Sequence, residues 1–279
     1  MVPAADVDLT ASFLSTSRST SSSETLRQAK RWLSDCEKYH TLCSVPVWSA
    51  GRPPTRLLHI QHPDIVRLST ADHAGVVYAT LSHCWGTSTI IKLATDSFTS
   101  FVEGVDISRF PKTFQHAIEV TRHLGIDHIW IDSCCIIQDS LDDWRTESAN
   151  VGAIYTGSRL NLAATDSSDS SGGLFRNREP GSLSPCKINA TETAFDTGEY
   201  YFLSPVAWKR DVHDARLNSR GWVFQERTLA PRDCILLKAK FTGSAGSPFL
   251  GKPCPKRYQN QIHLGLGTTA NISSQRSTV

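Results

Sequence analysis

Two stretches constrain this chain more than any others. Tyr78-Ala-Thr-Leu-Ser-His-Cys-Trp-Gly86 and Ile129-Trp-Ile-Asp-Ser-Cys-Cys-Ile-Ile-Gln-Asp-Ser140 each open as a short apolar run rich in β-formers, then break into small or polar residues. A buried parallel strand that delivers a loop at its C-terminal end has this pattern. Between them, Phe114, Ala117, Ile118, Thr121 and Leu124 recur at helical spacing, Pro111 suits a first turn, and Gly125 suits the C′ position. The unit reads as strand (Tyr78–Ser82), crossover helix (Phe110 to Leu124), strand (Ile126 to Ile131). Ligands of open α/β sheets bind beyond the C-terminal ends of such strands.

The rest of the chain is read around that unit. Residues 1–23 are rich in Ser, Thr and Ala, cannot bury enough apolar surface to offset ordering, and are expected to be disordered. Residues 24–56 form a helical extension and linker, with Leu26, Ala29, Trp32 or Leu33, and Cys36 on one helical face. Arg56-Leu-Leu-His-Ile60 and Ile65-Val-Arg-Leu68 look like short strands of an antiparallel extension, and Arg159-Leu-Asn-Leu-Ala-Ala164 like a third central strand. Asp166 to Gly173 is expected to be a mobile loop. The fold class is therefore α/β: a short parallel sheet with flanking helices over residues 57–236, an N-terminal helical extension, and an irregular tail over 237–279.

Composition excludes several classes. With formal net charge +2 and 20% charged residues, no run of Lys and Arg tracks a phosphate backbone, so nucleic acid is not an expected partner. No apolar stretch approaches the ~20 residues that span a bilayer, and the start, Met-Val-Pro-Ala-Ala-Asp, lacks a basic region before an apolar core, so a cytoplasmic location is expected. The eight cysteines are scattered and are expected to be thiols. Cys36-x3-His40-x2-Cys43 offers three zinc ligands, with Cys84 or His83 as a fourth. No second knuckle accompanies it, and no metal is expected.

At the predicted sheet edge, Ser82, Trp85 and Gly86 leave the first strand, and Asp132, Gln138 and Asp139 leave the second. Trp85 offers a stacking face or closes the core; Asp132 reaches a ligand hydroxyl or caps a loop. Ser82 and His83, as strand neighbours, point to opposite faces and do not make a nucleophile and base. Ser140-Leu-Asp-Asp143 is a capping signal for a helix to about Tyr155. On that helix Trp144, Ser148, Val151, Ile154 and Tyr155 share a side, and Glu147 falls within it. A carboxylate on an apolar face must be paired, hydrogen-bonded or shifted upward in pKa. It is either functional or ion-paired with an arginine such as Arg220.

Four blocks in order, Tyr78 to Gly86, Trp130 to Asp139, Trp144 to Tyr155, and Arg220-Gly-Trp-Val-Phe-Gln-Glu226, resemble the fungal heterokaryon incompatibility (HET) domain over roughly residues 57–236. The resemblance implies a role in non-self recognition and programmed cell death, and a core similar to the TIR fold. In TIR domains that hydrolyse NAD, the catalytic glutamate follows a tryptophan on a helix, and Trp144-Arg-Thr-Glu147 is similar. Glu147 is thereby implied as catalytic, with Ser82, Trp85, Gly86, Asp132, Gln138, Asp139 and Trp144 around the substrate. Arg220, Trp222, Gln225 and Glu226 form a signature whose aromatics are expected to lock the domain by burial.

Two functions follow: a cell-death effector that cleaves NAD as its substrate without metal or cofactor, or a non-enzymatic signalling module that oligomerises. No glycine-rich phosphate loop is present, which keeps the second open. A homo-oligomer and an upstream recognition protein are the expected partners. After Arg232 the pattern of the resembled family breaks off. A two-base shift of reading frame would restore its Trp-Glu-Cys segment, so residues from about 234 onward are expected to be an out-of-frame, disordered tail.

Overall fold

The expected strand, helix, strand unit is present and is widened by two further parallel strands. The computed structural model describes residues 2–3, 17–39, 52–86, 90–179, 186–190, 198–202, 214–236 and 241–245. In chain order the elements are β1 (Val2–Pro3), α1 (Ser23–Tyr39), β2 (Leu57–His59), β3 (Ile65–Ser69), β4 (Ala79–Ser82), α2 (Phe98–Glu103), β5 (Val105–Asp106), α3 (Lys112–His123), β6 (His128–Trp130) and α4 (Asp132–Cys135). They continue with α5 (Leu141–Gly157), β7 (Leu160–Ala163), β8 (Cys186–Ala190), β9 (Gly198–Phe202), α6 (Gly221–Leu229), β10 (Arg232–Leu236) and β11 (Phe241–Ala245).

The main sheet runs β11-β10-β7-β4-β6-β2-β3-β5, and β1, β9 and β8 form a small separate sheet. β10, β7, β4 and β6 are mutually parallel, whereas β2, β3, β5 and β11 join antiparallel. Numbered along the chain, the parallel strands lie in the order 2-1-3-4 of a doubly wound sheet, whose switch point falls between β4 and β7. The antiparallel β2–β3 extension agrees with the sequence reading.

Register sorts the side chains. Thr80 pairs with Asn161, which in turn pairs with Asp233, so these residues share one face of the sheet. That face carries α5 and α6: the Tyr78 hydroxyl donates to the Ile154 carbonyl at 2.7 Å, and Trp130 meets Tyr155 edge to face at 5.8 Å between centroids. The alternate residue His83 faces α3, with its ring against Phe114 at 4.8 Å. Helix α3 forms where its apolar positions recur every three to four residues. Phe114, Ala117, Ile118 and Thr121 are all fully buried, and Gly125 ends the helix at φ 75°. Burial of Phe114 alone contributes about 2 to 3 kcal/mol, more than any propensity difference along the helix. Helix α1 buries Leu26, Ala29, Leu33 and Cys36, as its spacing predicts.

Three expectations need correction. The serine-rich leader joins the fold before residue 23: the Thr20 amide donates to the Arg176 carbonyl at 3.0 Å, the Arg178 amide to the Arg18 carbonyl at 2.8 Å, and Thr20 is fully buried. Short polar side chains suit this, because they satisfy backbone groups locally. The loop after β7 is tied down by Thr113 N to Ser170 O (3.0 Å), Gly173 N to Thr113 Oγ1 (3.0 Å) and the Arg176–Asp166 ion pair (2.8 Å). The sheet also continues past residue 236, since Phe241–Ala245 pairs antiparallel with β10. Residues 246–279, where the out-of-frame reading mainly falls, lie outside the described residues.

Candidate functional site

The C-terminal edge of the parallel strands gathers most of the predicted residues. Strand β4 delivers His83, Cys84, Trp85 and Gly86. Gly86 has φ 71°, and a Cβ there would overlap Asp169, so the close approach that requires glycine is made by the chain's own loop across the switch point. The Trp85 indole nitrogen donates to Asp132 Oδ2 at 2.9 Å, and the Lys92 ammonium lies 5.0 Å from its ring centroid. Asp132 Oδ1 accepts from the Ser133 amide at 2.7 Å, so the carboxylate both takes up a free amide of its own turn and holds Trp85. His83 is buried beside it, Nδ1 3.9 Å from Asp132 Oδ1, with neither ring nitrogen hydrogen-bonded. Burial holds its pKa below the usual value against the pull of Asp132, which keeps the imidazole neutral. Arg220 donates to the His83 carbonyl and fastens this loop to the start of α6.

Glu147 lies at the same edge. Strand β2 runs antiparallel to β6, so the residues before it, Thr55 and Arg56, stand beside the exit of β6. Arg56 Nε donates to the Cys135 carbonyl at 2.7 Å, and its Nη2 donates to both oxygens of Asp143 at 2.7 and 2.6 Å. Glu147 is 2% exposed; its Oε1 accepts from the Thr55 hydroxyl at 2.6 Å and lies 3.8 Å from Arg56 Nη2. Its Oε2 is buried without a hydrogen-bond partner. One guanidinium thus serves two carboxylates, and a negative charge is left in a nearly dry position. The arginine is Arg56, not Arg220, because the antiparallel extension brings it there from ninety residues upstream in the chain. Trp144, expected on the same face, stands on the first turn of α5 and is 47% exposed.

Behind this edge, a second polar group is sealed between the sheet and α5–α6. Thr80 and Ser82 hydroxyls both donate to Asn161 Oδ1 at 3.1 Å, and Asn161 Nδ2 donates to Asp233 Oδ1 at 2.9 Å. Glu226 is buried next to the Ser82 and Tyr155 hydroxyls; burial raises its pKa, while those hydroxyls and Arg220 oppose the shift. Burial pushes Asp233 up to about 7, against the lowering pull of Arg227 and Asn161. The expectation that Trp222 and Phe224 lock the domain by burial fails, since they are 57% and 64% exposed. Helix α6 instead turns Val223 and Glu226, one helical step apart, toward the sheet, which leaves the flanking aromatics outside.

These raised pKa values carry a sign. Asp233 binds its proton more tightly folded than unfolded, so its contribution to stability is greatest in acid and declines as pH rises through about 7. Glu226 acts in the same direction. Asp233→Asn keeps the bond from Asn161 and removes the titration. It is expected to raise the melting temperature at pH 8 and to flatten the stability profile between roughly pH 4 and 7. An unchanged slope in the variant would count against this account.

Of the predicted residues, the structure joins Trp85 to Asp132 and places Glu147 at the same sheet edge. Ser82 turns inward to Asn161. Gln138 spends its amide on the Asp132 and Ile136 carbonyls at 3.1 and 2.9 Å. The Asp139 carboxylate is held by the Thr95 amide and hydroxyl at 2.9 and 3.1 Å, which lower its pKa. Gln225 lies against Gly152 of α5, in keeping with a packing role. Thr55, Arg56, Asn161 and Asp233 were missed; for the last three the available signal was a charged or amide residue beside or within an apolar strand run, and nothing in the sequence marked Thr55. Cys36 faces inward with Arg232 Nε 3.2 Å from its Sγ, while His40 and Cys43 lie outside the described residues. Among the described residues no group of His, Cys, Asp and Glu could hold a metal ion, and no helix is long and apolar enough to cross a membrane.

No curated protein and no solved structure gave a match to this chain. The family described as heterokaryon incompatibility protein (HET) matches residues 78–226, from Tyr78, which opens the β4 run, to Glu226 on α6. The match takes in both strands that build the sheet edge, the Glu147 helix and the α6 clasp, more than half of the 279 residues, and the chain belongs to the heterokaryon incompatibility (HET) family.

Proposed function

We propose that this HET-family chain is a cell-death effector of fungal non-self recognition that acts by cleaving the nicotinamide–ribose bond of NAD, its TIR-like character residing in the doubly wound sheet. The observation that carries the reading is Glu147 Oε2, a buried carboxylate oxygen with no partner, in a group whose one arginine is shared with Asp143. Such an oxygen suits a ribose hydroxyl, and the uncompensated charge suits the cation that forms as the bond breaks. In the reaction, the C1′–N bond breaks and its electron pair leaves with nicotinamide, whose ring nitrogen becomes neutral. Positive charge develops on the ribose against Glu147. Water adds to C1′, and its proton passes to the same carboxylate. Asp132, fixed by Trp85, orients the sugar from the β6 exit. The reaction requires no metal, and the proposed setting is the cytoplasm.

Activity is expected to rise with self-association, because an active dilute effector would poison the cell that makes it. The test is nicotinamide release from NAD over a dilution series, with sedimentation on the same samples. Specific activity should rise with the associated fraction. No release at any concentration removes the NAD reading, and full activity in a monomeric sample removes the assembly requirement. A non-enzymatic module is the second reading, favoured by the 2% exposure of Glu147 and by the exposed Leu141 and Trp144 on the first turn of α5.

A further inference from the structure

We propose that residues 52–56 form an autoinhibitory strap whose Thr55 hydroxyl occupies the place of a substrate hydroxyl on Glu147. The inference rests on the NAD reading above and names the regulation of that same site. Thr55 is exposed, yet its Oγ1 reaches inward to the buried Glu147 Oε1 at 2.6 Å. Thr55 thus reaches from the surface to the carboxylate. The bond has the short length of a hydroxyl donating to a carboxylate, the bond a ribose hydroxyl would make.

The strap is fixed at each step. Asn150 Nδ2, one turn beyond Glu147 on α5, donates to the Arg52 carbonyl at 3.0 Å. His73, itself buried, holds the Pro54 carbonyl through Nδ1 at 2.8 Å, which sets the proton on that nitrogen, and its Nε2 accepts from Ser69 at 3.0 Å. Pro53 and Pro54 have fixed φ and no amide donors, so the segment is stiff and makes few bonds of its own. Arg56 then anchors its end to Cys135 and Asp143. Thr55, Asn150 and His73 each hold the strap by one bond, to a carboxylate from Thr55 and to backbone carbonyls from Asn150 and His73. A partner or a second copy that binds only the open form could release it by a modest difference in affinity.

The test measures nicotinamide release by dilute full-length protein in wild type, Thr55→Val and Asn150→Ala, each with and without Glu147→Gln, alongside amide exchange over residues 52–57. Loss of the neutral Asn150 bond should raise basal release about fivefold, and loss of the charge-assisted Thr55 bond by at least as much. It should also speed exchange in the strap, with melting temperatures within a few degrees of wild type, and Glu147→Gln should abolish the gain. Asn150→Ala loosens the strap without touching the carboxylate, so it carries the test if Thr55→Val folds poorly. If Glu147→Gln abolishes release while both strap variants stay at the wild-type rate, the strap is overturned and the carboxylate reading stands. If Glu147→Gln cleaves NAD as fast as wild type, or no chain cleaves it even when concentrated, that reading falls and the strap falls with it.

Discussion

Replacement of Glu147 by glutamine is expected to lower NAD cleavage by about a hundredfold or more while the protein stays folded. A carboxylate aimed at developing positive charge is typically worth ~3 kcal/mol or more in rate. The stability change should be small by comparison, for a reason visible in the bonding. Glutamine keeps an oxygen for the Thr55 hydroxyl, and the other position, Oε2, makes no hydrogen bond that the substitution could break. The loss is bounded by about 1 to 3 kcal/mol for placing an unpaired amide there, a fall of a few degrees in melting temperature. Rate and melting temperature measured on the same preparation separate the two roles. Unchanged cleavage, or an unfolded variant, would remove the catalytic assignment and favour the scaffold reading.

Arg56→Ala is expected to have the largest effect on stability. Arg56 neutralises Asp143, approaches Glu147 and bonds the Cys135 carbonyl, and its side chain is 10% exposed. Asp143 also accepts from the Ile137 amide at 2.8 Å, so this arginine holds the whole turn from α4 into α5. Its removal leaves two carboxylates facing each other in a nearly dry site, and breaking a buried pair in this way costs about 3 to 5 kcal/mol. The melting temperature should fall by on the order of 10 °C. Arg56→Lys should recover part of that loss, since a point charge returns without the planar reach to Cys135 and Asp143 together. A melting temperature within two or three degrees of wild type in the alanine variant would show that the triad is solvated in practice.

The sequence by itself determined the frame. The β4 and β6 runs, the α3 face, the Ser140 cap with its bond to the Asp143 amide, and the α1 face are local periodicities and end signals, and local geometry reads them directly. They suffice to place Trp85 and Asp132 at one sheet edge, because parallel strands joined by a helix deliver their exits to the same side. Glu147 was legible as a carboxylate on an apolar helix face for the same local reason.

Tertiary structure alone decided what those groups do. Arg56 reaches Glu147 only because β2 pairs antiparallel with β6, a register that no spacing in the chain records. Asp233 reaches Asn161 only through the parallel pairing of β10 with β7. Trp222 and Phe224 look like core residues by type, yet the short α6 commits one stripe to the sheet, and Val223 and Glu226 occupy it. Strand pairing and helix phase set which side chains meet, and they are settled by total burial across the whole sheet rather than by any single segment. The roles of Thr55, Arg56, Asn161 and Asp233 are therefore properties of the assembled fold, while the identity of the edge on which Thr55 and Arg56 act was already written in the two apolar runs.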